Sequence, residues 1–130
     1  MTSAAELFNT LKYRIVVNPA TGTRRYYNHA NQLHRDEGPA IEYSDGAKCW
    51  YRNGKLHRED GPAVIYHNGT RKWLLNGMPH RTDGPAVESG SYCEWHIWGT
   101  RYTEEKYRQR LKTLGTDAQQ NYVQSIEMQH

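Results

Sequence analysis

The sequence predicts a mainly β protein: an antiparallel meander of tandem β-hairpins, preceded by a short helix and followed by a helical tail. Three observations carry this. Gly38-Pro39-Ala40, Gly61-Pro62-Ala63 and Gly84-Pro85-Ala86 follow one another at a strict spacing of 23 residues. Asn-Gly and Asp-Gly pairs punctuate short runs of Val, Ile, Tyr and Trp, the strongest local hairpin signal, because both central residues of a type I′ turn need positive φ. Only 36% of the chain is hydrophobic, and ten Tyr and four Trp stand against one Phe, so burial rests on amphipathic rings suited to thin, half-exposed sheets.

Taken in order, the 130 residues fit one domain, with an N-terminal helix in 1–12, hairpin repeats in 13–102 and a helical tail in 103–130. Apolar spacing predicts a helix near Ala4 to Leu11. From Val16 to Tyr26 the chain reads as a worn half-copy of Val64 to Trp73, with Tyr26 in the Trp place, and so as a cap. His34-Arg35-Asp36-Glu37, His57-Arg58-Glu59-Asp60 and His80-Arg81-Thr82-Asp83 then lead into the three Gly-Pro-Ala sequences, so the shared phrase is H-R-x-[DE]-G-P-A. Proline lacks a backbone donor and belongs at a strand start, while the preceding Gly lets the chain turn sharply. Trp50-Tyr51-Arg52-Asn53-Gly54 and Trp73-Leu74-Leu75-Asn76-Gly77 close the unit as W-x-x-N-G. The third copy is one residue short and runs Trp95-His96-Ile97-Trp98-Gly99, with Trp98 where its sisters have Asn. Thr103 is a good N-cap for the tail, Glu104 and Glu105 favour the helix dipole in its first turn, and Gly115 stops it. A second helix is expected from Asp117 through Ile126.

The repeated W-x-x-N-G-x-x-H-R-x-D-G-P-A phrase resembles the tandem hairpin repeats of many bacteriophage and large-virus proteins, which are similar to MORN repeats. The ending from Trp95 to Tyr107, W-x-x-G-x-x-Y-T-E-E-x-Y, resembles the way those arrays finish. The resemblance covers roughly residues 15 to 107 and implies a MORN-like, curved or twisted hairpin array, non-catalytic and used for protein contacts. It also implies a phage or prophage origin, and hence the cytoplasm of a bacterial host as the place of action. Where MORN repeats carry H-G-x-G, this chain carries H-R-x-[DE]-G-P-A, which sets it apart from the lipid-binding role proposed for some MORN arrays.

The composition narrows the chemistry. No run of about 20 apolar residues is present, and Met1 to Thr10 lacks the pattern of a secretory signal, so a soluble intracellular product without membrane partners is expected. Cys49 and Cys93 read as free thiols, and no Cys/His cluster suggests zinc. Net charge is +3, but acids sit beside bases, too mixed for a polyanion stripe. No GxSxG, P-loop or HExxH motif occurs, so neither an enzyme nor a cofactor is expected.

His34, His57 and His80 recur at one place in each copy and read as stacking residues, since His and Asp can bond turn backbone and Arg can lie on an aromatic ring. Equivalent side chains two strands apart lie about 10 Å from one another, too far to share one metal ion. Arg35, Arg58 and Arg81 form a row that could grip phosphates, although Glu37, Asp60 and Asp83 stand two residues on and invite internal pairing. Two readings of function follow. In the first, a non-enzymatic interaction module binds and inhibits a host protein, such as a defence component, through positions the repeats do not share: Tyr51, Leu74 and His96 at one equivalent place, and Trp98 at the altered turn. In the second, Arg58, Lys72 and Arg81 with neighbouring rings hold a nucleotide or nucleic acid. Open edge strands or the C-terminal helices could also pair two copies of the chain.

Overall fold

A computed structural model describes residues 12–114. The expected helix at Ala4–Leu11 and the tail beyond residue 114 lie outside the described residues. Within them the chain is an antiparallel array of thirteen short strands and one helix, α1, over residues 104–114.

Two rows of strands run side by side. The first row begins with β1 (Arg14–Val17) and β2 (Arg24–Tyr27), then β3 (Ile41–Glu42) and β4 (Lys48–Cys49). It continues through β7 (Val64–Ile65), β8 (Arg71–Lys72), β11 (Val87–Ser89) and the first half of β12 (Tyr92–Ile97), every neighbour antiparallel. The second row holds the hairpins β5 (Tyr51–Arg52) with β6 (Lys55–Leu56), β9 (Leu74–Leu75) with β10 (Met78–Pro79), and the second half of β12 with β13 (Thr100–Tyr102). Backbone bonds join consecutive hairpins of this row, from the Gly77 N–H to the Leu56 carbonyl and from the Arg58 N–H to the Leu74 carbonyl, with Gly99 to Pro79 and Arg81 to His96 as their counterparts.

The aromatic that opens W-x-x-N-G marks the crease between the rows. The N–H groups of Tyr26, Trp50 and Trp73 bond the carbonyls of Ala40, Ala63 and Ala86, and their own carbonyls accept from His34, His57 and His80. Tyr26 therefore does occupy the Trp place. The three alanines are wholly buried where the two rows meet. On one side of the crease Val64 packs against Ala63 and Leu74, with Cys49 and Leu56 closing the cluster.

Two turn chemistries alternate. Asn53-Gly54 and Asn76-Gly77 have positive φ at both residues, as a type I′ turn requires, and Trp98-Gly99 adopts the same backbone. At Asp45-Gly46 and Asn68-Gly69 only the glycine is left-handed. There the Asp45 and Asn68 side chains instead accept from the N–H groups of Ala47 and Thr70 at 2.9 and 3.0 Å, so these are three-residue loops held by Asx bonds, a departure from the expected type I′ geometry.

Both ends are closed by a tyrosine. Tyr13 meets Tyr26 edge to face, donates to Glu37 at 2.9 Å and accepts from the Asp36 N–H. At the other end Thr103 caps α1, with its Oγ1 accepting from the Lys106 N–H, and the helix drives Tyr107 against Trp95. Only 2% exposed, Tyr107 donates to the carbonyls of Arg81 and Gly84.

Candidate functional site

The strand register divides the first row into two chemically distinct faces, because successive side chains alternate. Cross-strand partners place Arg24, Glu42, Lys48, Ile65, Arg71, Glu88 and Cys93 on one face, and Arg25, Ile41, Cys49, Val64, Lys72, Val87 and Glu94 on the other. The first face continues across the crease into Tyr26, Trp50 and Trp73, where the H-R-x-[DE]-G-P-A loops lie.

Those loops repeat one arrangement three times. The guanidiniums of Arg35, Arg58 and Arg81 lie over the rings of Tyr26, Trp50 and Trp73 at 4.0, 3.9 and 3.8 Å from the centroids. Each Nη1 donates to the carbonyl of Pro39, Pro62 or Pro85 at 3.1–3.2 Å. The Nε atoms of Arg58 and Arg81 donate to Asp60 and Asp83 at 3.0 and 2.9 Å. In the first copy the carboxylate of Glu37 is drawn to Tyr13 and Lys12, and the buried Nε of Arg35 has no partner.

The glycine of Gly-Pro-Ala completes the sandwich. A Cβ added at Gly38, Gly61 or Gly84 would stand 3.2, 2.9 or 2.8 Å from the Arg Cζ of its own copy. These three glycines are not left-handed. Their need for hydrogen at Cα comes from the guanidinium pressed on them, which replaces the expected reason, a sharp turn, and the strands start two residues after the proline.

The recurrent histidines link one copy to the next. Nδ1 of His34, His57 and His80 accepts from the backbone N–H of Asn53, Asn76 and Trp98 at 2.9, 3.0 and 2.8 Å. That leaves the proton on Nε2, which His34 and His57 direct at Asp36 and Glu59, 2.8 and 3.3 Å away. Burial pushes the His80 pKa below its ordinary value. A groove of about 720 Å³ opens between the first two loops, with Arg35, Trp50 and Arg58 in its wall and Glu37, Glu59 and Asp60 at its rim. Among the described residues no group of three or more His, Cys, Asp or Glu gathers closely enough to hold a metal ion. Cys49 and Cys93 are free, and burial raises the Cys49 thiol.

The residues singled out from the sequence are not brought together. Arg58 and Arg81 are spent in their sandwiches, with side chains 24% and 18% exposed, while Lys72 lies on the opposite face over the Tyr66 ring. Tyr51 is half-buried and hydrogen-bonded only through its backbone to the preceding loop. Leu74 and His96 point inward, Leu74 into the Val64 cluster and His96 toward Glu94 at 2.9 Å. Trp98 alone of this set is well exposed, at 58%, although φ is +46° and its ring stacks on His80 at 3.9 Å. Met78, also exposed, lies against Gly99, the next residue of this turn.

Sequence reasoning passed over Tyr43, Tyr66 and Tyr92, which stand exposed on the face opposite the arginine loops. The alternation Ile41-Glu42-Tyr43 and Val64-Ile65-Tyr66 puts Tyr43 and Tyr66 on the face of buried Ile41 and Val64, a pattern that reads as core. Compared with known protein families, curated proteins and solved structures, the chain has no match. Among the described residues no helix is long and apolar enough to cross a membrane.

Proposed function

We propose that this chain is a non-enzymatic interaction module that seats the Trp98 ring in an apolar pocket of a protein partner. One observation carries the reading. A bulky L-residue in the left-handed region costs about 1–2 kcal/mol, yet Trp98 holds φ +46° at a turn where the sister copies use Asn, and keeps 58% of its surface in solvent. Nothing in the fold demands an indole there, since Asn53 and Asn76 make the same turn and the same bond to the preceding histidine. Stacking on His80 holds the ring in one orientation, and a rigid, exposed aromatic is the commonest anchor of a protein interface. The recurrent histidines and arginines of the repeat are engaged in holding the array together, which suits a scaffold better than an active site. By resemblance to phage hairpin arrays, the partner is a host protein, with inhibition of a defence component as the outcome.

The test is affinity purification with mass spectrometry from bacterial host extract, comparing the wild-type chain with Trp98→Asn. That substitution restores the sister turn and so preserves the fold. A protein retained by the wild type and lost by the variant supports the reading; identical retained sets overturn it.

A further inference from the structure

A second surface lies opposite the arginine loops. By register and alternation this face carries Tyr43 and Tyr66 on the turn side of β3 and β7, with Tyr92 on β12. They are 38%, 41% and 51% exposed. Tyr43 and Tyr66 stand two strands apart, about 10 Å, too far to stack on each other, so neither ring covers the other.

Two cations of this face have no carboxylate partner among the described residues. These are Arg25 and Lys72, Lys72 lying 5.4 Å above the Tyr66 ring and Arg25 on the strand paired with β3, near Tyr43, whose hydroxyl burial pushes above its ordinary pKa. Arg101, paired across from His96, continues the row toward Tyr92, to whose hydroxyl it donates at 3.3 Å. The carboxylates of the first row fall elsewhere: Glu42 and Glu88 lie on the arginine side, where they accept from Arg35 and Arg81 at 3.3 and 2.8 Å. Glu94 and Asp45 are the exceptions: Glu94 is covered by Tyr92 at 2.6 Å and His96 at 2.9 Å, hydrogen bonds that hold its carboxyl below the usual range, and Asp45, in the turn after Tyr43, stands 3.7 Å from His67.

We infer that this Tyr43–Tyr66–Tyr92 face, with Arg25, Lys72 and Arg101, binds single-stranded nucleic acid. Separated, part-exposed rings beside cations that lack carboxylate partners match a flexible polyanion whose bases can turn outward and stack, whereas a duplex hides its bases and offers only phosphates. An acidic peptide would use the cations but leave the phenol rings without planar partners. The arginine row named from the sequence for this ligand is occupied, so the site lies on the other side of the sheet and shares only Lys72 with it. The inference is independent of the partner bound at Trp98.

Fluorescence anisotropy with labelled oligothymidine and oligouridine tests it, against a duplex of mixed sequence and a labelled polyglutamate peptide. Binding to the single strands is expected to weaken linearly in log–log form as salt rises. Tyr43→Ser and Tyr66→Ser should each reduce affinity about tenfold, the scale of one lost base stack. Arg25→Gln should reduce both the affinity and the salt slope, and it remains a test should the tyrosine variants fail to fold by circular dichroism. Lys48→Ala, an exposed cation on the opposite face, should change neither. Absence of binding at low salt, equal or tighter binding of the duplex or of polyglutamate, or loss on Lys48→Ala in place of Arg25→Gln would each overturn the assignment.

Discussion

Replacing the glycine of Gly-Pro-Ala by alanine should destabilise the array in proportion to how tightly the guanidinium is pressed on it. At Gly84 the added methyl would stand 2.8 Å from Arg81 Cζ and 2.9 Å from Nη1, so the guanidinium must lift off. Lifting it weakens the stack on Trp73, about 0.5–2 kcal/mol, and the charge-assisted bond to the Pro85 carbonyl, about 1.5–3 kcal/mol at most. Against this, alanine restricts the unfolded chain and returns about 0.4–1 kcal/mol, since Gly84 does not use the left-handed region. The net expectation is a loss of about 1–3 kcal/mol, or about 4 °C in Tm per kcal/mol for a chain of this size. At Gly38 the Cζ distance is 3.2 Å and the side chain can give way, so Gly38→Ala should lie within about 0.5 kcal/mol of wild type. Gly61→Ala, at 2.9 Å, should fall between them. Urea unfolding followed by Trp fluorescence reads the series, with an unchanged slope showing that the denatured state is not the cause. In an Arg81→Ala background Gly84→Ala should turn neutral or stabilising. Equal stability of the three alanine variants, or a Gly84→Ala cost that survives removal of Arg81, would refute the sandwich as the reason for these glycines.

Three more expectations follow from the same geometry. Because burial lowers the His80 pKa from an ordinary 6.5, the native state takes up that proton less readily than the unfolded chain. The stability His80 confers is therefore complete above pH 6.5 and declines as pH falls through its native value; in His80→Asn, which keeps an acceptor for Trp98 without titrating, the unfolding free energy should depend less on pH over that window. Trp98→Asn should leave stability within about 1 kcal/mol of wild type by thermal unfolding, since relief of about 1–2 kcal/mol of backbone strain offsets a lost stack of about 0.5–1.5 kcal/mol. Tyr107→Phe should cost about 1–2 kcal/mol and increase hydrogen exchange at the last copy first, as the carbonyls of Arg81 and Gly84 lose their shared donor.

The hairpin array was legible because its period is rigid and its turns are chemically explicit. So was the placing of arginine on aromatic rings, and of histidine on turn backbone, since a residue recurring at one station must do something every copy needs. What the guanidinium demands of Gly61 or Gly84 was not legible: the two are three residues apart in sequence, and only the return of the loop over Trp50 or Trp73 brings one against the other. Position-by-position variation also misleads about surfaces. Leu74 and His96 differ because their inward neighbours differ, Val64 and Leu56 for the first and Glu94 for the second, whereas Trp98 differs at a place open to solvent. Tyr43 and Tyr66 read as strand residues sharing a face with Ile41 and Val64, not as surface residues, since agreement between copies reads as scaffold even where the ring stays exposed.

The histidine-to-turn bond reaches forward by one unit, and its geometry is the same at His57 as at His34. A middle copy therefore offers its successor the socket that its predecessor offered to it. Gene duplication could lengthen such a ribbon in whole steps of about 10 Å, two strands at a time, with no new junction to invent. The tyrosines at either end act as stoppers, so the number of copies between them sets the reach of the molecule as notches set a ruler.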